Sequence, residues 1–352
     1  MENKQSINYN GIGLKERIEW IDIAKGLGII FMVLGHGLVG ERALYFICSF
    51  NMPLFFLIDG MFCKDFILFS PEHKNYIKKT FVRLIIPYFM TCILMVLFSL
   101  VMNLLRNNQA NLLPDVKNWI VASLYGQGIN SNEKFPMIGA IWFLWAMFWG
   151  KVIFSFINGN KYCIPIVIAL FAIGYLTSRI FYLPLSIQSG LTSIIFIWCG
   201  RKIKESCCLD KNRICLFFTA SLLWAVMVFL NDGGGFGIVN NSYNSIASNV
   251  ISGICGSIII FLISQKLEKF NALYFLKYIG RYSLIFLCLH ILDLNIFRWF
   301  QIEKFIFSIV HLEDYRLSVR FILRMLMYFS GCWIILHSPL RRIYTGEWKK
   351  SY

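Results

Sequence analysis

Continuous apolar runs, each long enough to cross a lipid bilayer, recur along almost the whole chain and restrict its possible folds more than any other feature. They occupy residues 22–40, 43–62, 82–105, 138–157, 162–180, 187–200, 213–231, 247–264, 282–300 and 319–337. About 20 helical residues match the hydrocarbon thickness. Backbone amides that meet no water must be paired within their own segment, which a helix achieves. A transmembrane β-barrel would need apolar and polar residues to alternate, and these runs do not alternate. With 57% hydrophobic and only 15% charged residues in 352, and a mean hydropathy of +0.62, polar surface is too scarce to cover a soluble domain. The expected fold is all-α, a polytopic transmembrane helical bundle of about ten spans, the sixth being the shortest.

Basic residues set the expected orientation. Counted from an inside N-terminus, the inside segments hold Lys4, Lys15 and Arg17, then Lys64, Lys74, Lys78, Lys79 and Arg83, then Arg201, Lys202, Lys204, Lys211 and Arg213. They continue with Lys266, Lys269, Lys277 and Arg281, and end with Arg341, Arg342, Lys349 and Lys350. The intervening connections are poorer in basic residues, and residues 231–249 contain no Lys or Arg. The positive-inside rule therefore puts both termini in the cytoplasm. Residues 298–320 are the exception, an outside segment with several basic residues that Glu303, Glu313 and Asp314 only partly balance. The net charge of +15 follows from this loop bias and does not point to nucleic acid. The chain divides into a cytoplasmic N-terminal segment (1–20), a transmembrane domain (21–338) and a basic cytoplasmic tail (339–352). Residues 21–39 lack a small-residue cleavage site and read as a retained helix. The eleven cysteines are scattered, without the spacing of a metal or disulfide framework, so no metal site is expected.

Ionisable groups inside apolar runs are the candidate functional residues, because a charge at bilayer depth costs several kcal/mol or more. Lys25 and His36 both lie in residues 21–39. On one continuous helix their spacing brings them to the same face, about 16 Å apart. Asp22 is placed at i,i+3 to pair with Lys25. Pro87 lies one turn beyond Arg83 and opens the helical backbone there. Residues 106–137 form the longest outside connection, rich in Asn, Gln and aromatic residues (Asn107, Asn108, Trp119, Gln127). Such a loop suits a sugar and equally serves as a solvated connector.

Several local sequences converge. Arg17-Ile-Glu-Trp-Ile-Asp22-Ile-Ala-Lys25-Gly26, followed by Gly35-His36, resembles the opening of the acyltransferase family 3 membrane proteins. Phe50-Asn-Met-Pro53-Leu-Phe55-Phe56-Leu-Ile-Asp59-Gly60 is similar to that family's second helix, and Lys78-Lys79-Thr-Phe81-Val-Arg83-Leu-Ile-Ile-Pro87-Tyr88 to the basic start of its third. Trp142-Phe143-Leu144, Ile279-Gly280-Arg281-Tyr-Ser283-Leu284 and His290 resemble later landmarks, so the likeness covers nearly the whole chain. Within the family the fucose 4-O-acetylase-like branch is the most similar, since this chain is a bare membrane domain. The resemblance implies a multi-pass protein of the bacterial cytoplasmic membrane that acylates sugar hydroxyls. Acetyl-CoA would be the donor, a glycan or lipid-linked sugar the acceptor, the bilayer the remaining partner, and no cofactor would be permanently bound. Three positions depart from the family: Asp59 replaces a small hydroxyl residue, Asn51 stands where histidine is common, and Lys25 where arginine is common.

Acyl transfer from a thioester needs a base for the hydroxyl proton, donors for the oxyanion and cations for the donor's phosphates. His36 is the natural base, since imidazole has an unperturbed pKa of about 6.5. With it, Asp22 and Lys25 form the expected catalytic group. Lys25, Arg83, Lys79 and Asp59 are expected at the donor, with Asp59 paired to Lys25 or Arg83. Lys78 and Lys79 equally suit a membrane-surface anchor. His290, Ser283 and Trp142 are the acceptor or oxyanion candidates, with Asp293 able to orient His290 or to bond a neighbouring helix. Two other classes share the architecture: an exporter of a lipid-linked glycan, which would need no acyl donor, and a structural partner of a polysaccharide synthase.

Overall fold

The computed structural model describes residues 17–106, 109–231, 236–296, 299, 301, 302, 304 and 316–346. Lys4, Lys15, Asn107, Asn108, Arg298, Glu303, Glu313, Asp314, Lys349 and Lys350 lie outside them, so most of residues 298–320 is not described. The described residues are helical, in the order α1 (Glu19–Gly35), α2 (Glu41–Met61), α3 (Pro71–Leu105), α4 (Gln109–Tyr125), α5 (Trp142–Ile157), α6 (Cys163–Thr177) and α7 (Ile187–Ser206). Then follow α8 (Arg213–Leu230), α9 (Ile246–Leu267), α10 (Tyr274–Arg281), α11 (Ser283–Ile296), α12 (Arg316–Leu336) and α13 (Arg341–Thr345). The protein is thus an all-α helical membrane bundle. Each of the ten apolar windows contains a helix. Among the described residues, five (α2, α3, α8, α9 and α12) are long and apolar enough to cross a bilayer alone, and α10 with α11 makes a sixth if read as one span bent by 79°. The apolar runs overestimate length where the helix stops inside them. Helix α1 ends at Gly35 because Gly37 takes φ +81°, and Leu38 N–H bonds back to the Leu34 carbonyl at 3.2 Å.

Two helix crossings depend on glycine. A Cβ on Gly60 of α2 would sit 1.9 Å from the Ile197 carbonyl oxygen, and one on Gly200 of α7 2.0 Å from that of Leu57. Likewise a Cβ on Gly280 of α10 would lie 1.7 Å from the Asp22 oxygen, and one on Gly26 of α1 2.3 Å from the Leu276 oxygen. In lipid, where no hydrophobic force drives helices together, such backbone approach supplies the packing. It fixes α1 on α10 and α2 on α7. Helix α7 also packs on α5 and α6, and α9 on α8 and α2.

The connections expected to face outside are folded. Half of the expected 106–137 loop is α4, which lies along α3 and is joined to it by Asn103 Nδ2 donating to Asp115 at 2.9 Å and Tyr88 donating to the Ser123 carbonyl at 2.8 Å. Buried Gln127 then bonds Asn132, and Tyr125 stacks on Phe135 at 3.9 Å between ring centroids. From residues 236–245, the Val239 carbonyl accepts from Ser189 at 3.1 Å, while Asn241 accepts from Thr192 at 2.5 Å. In the tail, α13 docks on α3 through Tyr344, 3.0 Å from the Thr91 hydroxyl. His73 is buried in the first turn of α3 and bonded to Ser155 at 2.9 Å.

Candidate active site

The first half of the site is a cavity of roughly 400 Å³ between α1, α2, α3, α5 and the bend before α11. Its polar wall carries Lys25, Asp59, Lys79, Arg83 and Lys151, with Tyr76 and Thr80. Four cations thus face one carboxylate. Asp59 is paired with Lys151 of α5, so the expected partnership with Lys25 or Arg83 is not formed. Lys151 reaches the half-buried Asp59 from α5, which touches α2 through Phe143 against Phe55 and Phe56. Lys25, Lys79 and Arg83 form no ion pair or hydrogen bond among the described residues. The opposite wall is apolar, with Ile29, Met32, Phe55, Phe143, Leu144, Met147 and Leu287. Pro87 brings no N–H to α3, so the Arg83 carbonyl loses its helical partner at the cavity's edge.

The second half lies at the other end of α1. His36 is the C-cap of that helix and exposed, instead of sitting within a longer span as the sequence suggests. Its Nδ1 bonds the Met32 carbonyl at 2.9 Å. Met32 lines the cavity one turn earlier, so the apolar wall leads towards His36. Helix α11 repeats this arrangement: Leu287 lines the cavity and His290 follows one turn later. The His36 and His290 rings meet edge to face, 4.7 Å between centroids. His290 is fully buried, and behind it stands a polar cluster. His290 Nδ1 lies 2.9 Å from the Tyr328 hydroxyl, which donates to Asp293 at 2.5 Å. Asp293 also accepts from Trp299 and lies 3.3 Å from the Arg324 guanidinium. Arg324 then donates to the His36 carbonyl at 3.1 Å, which closes the ring of contacts on α1.

Several sequence expectations are redistributed. Asp22 pairs with Arg17 and not with Lys25, because Arg17 reaches both carboxylate oxygens from just before the helix. It does not line the cavity, and nothing places it beside His36. Ser283 opens α11 on the cavity wall, about 10 Å of helical rise before His290, so it accompanies the cations instead of the histidines. The first N–H groups of a helix lack intrahelical partners, which suits that position to negative charge. Trp142 is buried against Gly128 and Val239, and its neighbours Phe143 and Leu144 line the cavity in its place. Lys151, Arg324 and Tyr328 were not singled out by sequence, although Lys151 and Arg324 are charges inside apolar windows by the same criterion that marks Lys25.

This geometry can hold an anion at one end and move a proton at the other, with an apolar passage between them. The model of acyltransferase family 3, described as an acyltransferase domain, matches residues 18–337, and so takes in both halves of the site. No curated protein and no solved structure matches the chain. Because the family match spans nine-tenths of the sequence, from just before α1 through α12, the protein belongs to acyltransferase family 3 and is a membrane acyltransferase.

Proposed function

We propose that the protein transfers an acetyl group from acetyl-CoA, bound from the cytoplasmic side, to a hydroxyl of a sugar in a surface or exported glycan, at the bacterial cytoplasmic membrane. The observation that carries this reading is the excess of unpaired cations on a cavity whose apolar wall ends one turn from a histidine. Lys25, Lys79 and Arg83 suit the phosphates of a coenzyme A donor, and the apolar wall suits its flexible arm. His36 takes the hydroxyl proton while the oxygen attacks the thioester carbonyl. The C–S bond then breaks, and the leaving thiolate takes the proton. The fucose 4-O-acetylase-like branch remains our choice within the family, and no acceptor sugar is preferred.

Kinetics on purified protein in lipid nanodiscs test the donor side. A hydrogen bond to a charged group contributes about 1.5–3 kcal/mol, so Lys25→Gln and Arg83→Gln should each raise the KM for acetyl-CoA about tenfold or more and leave that for the acceptor unchanged. An unchanged donor KM in both variants, with the acceptor KM altered, would reverse the two ends of the site. The acceptor itself can be read by NMR from the glycan of a deletion strain, which should lack acetyl at one hydroxyl.

Sidedness is a separate expectation, based on charge counts. In a cysteine-free background, Glu133→Cys should react in intact cells with a thiol reagent that cannot cross the membrane, and Lys74→Cys should not. Both positions are exposed on the protein. Labelling of Lys74→Cys alone would place the cationic cavity outside and remove cytoplasmic acetyl-CoA as the donor.

A further inference from the structure

Hydrogen positions around the histidine pair follow from the groups that can only accept. The Met32 carbonyl accepts, so His36 Nδ1 carries the hydrogen of that 2.9 Å bond and His36 Nε2 keeps its lone pair in the neutral ring. Asp293, paired with Arg324, is a carboxylate and also accepts only. The single Tyr328 hydrogen is therefore given to Asp293, and the Tyr328 oxygen must accept from His290 Nδ1–H. This fixes the second tautomer: His290 Nε2 has a lone pair, is fully buried and has no hydrogen-bond partner among the described residues. Such an acceptor bears its full desolvation penalty until something donates to it.

Two neutral imidazoles stand edge to face with centroids 4.7 Å apart, each with a bare Nε2, and one proton is missing for a bond between them. We propose that His290 supplies the second half of a proton-sharing pair, which binds the proton that His36 removes from the acceptor hydroxyl. This rests on the acyl-transfer reading above and adds to it a residue and a charge path. In the step, the hydroxyl O–H bond breaks and His36 Nε2–H forms, while the oxygen attacks the thioester carbonyl. The exposed His36 ring turns from its edge-to-face position, 4.7 Å from His290 between centroids, so that the new Nε2–H reaches the bare His290 Nε2. When the C–S bond breaks, the proton passes from the pair to the leaving thiolate, and both rings return to the neutral state. The positive charge held in between is stabilised from behind by Asp293, through Tyr328 and His290. Arg324, the nearby cation, is paired with Asp293 and holds His36 by its carbonyl. His290, Tyr328 and Asp293 act through His36 and are positioning residues.

The test uses the full-length protein in nanodiscs with acetyl-CoA and its glycan acceptor. His290→Gln and Tyr328→Phe should each lower kcat about 10- to 100-fold and leave both KM values within about twofold, because neither side chain binds a substrate. His290→Gly should regain turnover when imidazole is added, a response that a merely structural role would not give. Full kcat in Tyr328→Phe, a raised acceptor KM with unchanged kcat in His290→Gln, or a folded His290→Gly that imidazole does not restore would each overturn the proposal. If His290 variants do not fold, Tyr328→Phe still decides, since it removes one oxygen and keeps the ring. Wild-type protein that consumes no acetyl-CoA would sink the underlying function. Active wild type with inactive His36→Ala and fully active Tyr328→Phe would sink the shared proton alone.

Discussion

Replacement of His36 by alanine is expected to lower acyl transfer by about 10²- to 10⁴-fold, the usual contribution of a positioned general base, while the protein accumulates at its normal level. The size of the loss follows from the proton. His36 is exposed at the end of α1 with a free lone pair, whereas its partner His290 is fully buried. The tolerance of the fold follows from the helix end, which His36 does not hold with its side chain. Gly37 turns the chain, Leu38 bonds back to Leu34, and Arg324 donates to the main-chain carbonyl of position 36, which alanine retains. The imidazole's bond to Met32, on the helix's own surface, and its edge-to-face contact with His290 are lost. Acetyl transfer would be measured with purified variant and wild type at equal protein, and abundance by immunoblot of membranes. Wild-type turnover in the variant would remove His36 from the chemistry. Loss of the protein itself would show that the imidazole is part of the packing.

Much of this was legible in the sequence because hydropathy is a one-body property. Each apolar window contains a helix since the bilayer admits little else, and Lys25, Lys79, Arg83 and Asp59 meet in one cavity as their depths suggest. Partnerships were less legible, because they depend on which helices are neighbours. Asp22 had a good local candidate in Lys25 and takes Arg17, while Asp59 takes Lys151 from a helix over 80 residues away. Helix α4 was hidden by its composition, as the polar and aromatic residues that read as a loop are also those of a helix lying on α3. The 79° break before Ser283 was hidden too, since the apolar pattern carries on past it. His290 was recognised as an imidazole at depth, but its tautomer depends on Tyr328 and Asp293, which only the folded α11–α12 pair brings together.

Gly280→Val should have the largest effect of any substitution outside the site, and should prevent accumulation of folded protein. The helices α1 and α10 touch through main chain at this point: the first side-chain atom at Gly280 would be 1.7 Å from the Asp22 carbonyl oxygen and 2.9 Å from the Gly26 nitrogen. An overpacked core usually costs about 1–3 kcal/mol because side chains can turn aside. Here the obstacle is backbone within a helix, so the helices must separate, and the cost reaches or exceeds the top of that range. Separation would also shift Lys25 and Ser283, which flank this crossing and line the same cavity. Gly60→Val should act in the same way at the crossing of α2 and α7, beside Asp59. Gly40→Ala provides the control, because a Cβ there meets nothing within 4 Å, and alanine at this N-cap should cost no more than about 1 kcal/mol. Size-exclusion profiles of detergent-solubilised protein would compare the three. A monodisperse Gly280→Val protein at wild-type abundance and activity would mean that α1 and α10 do not cross at Gly26 and Gly280, and the placement of the cationic cavity against α11 would fall with that crossing.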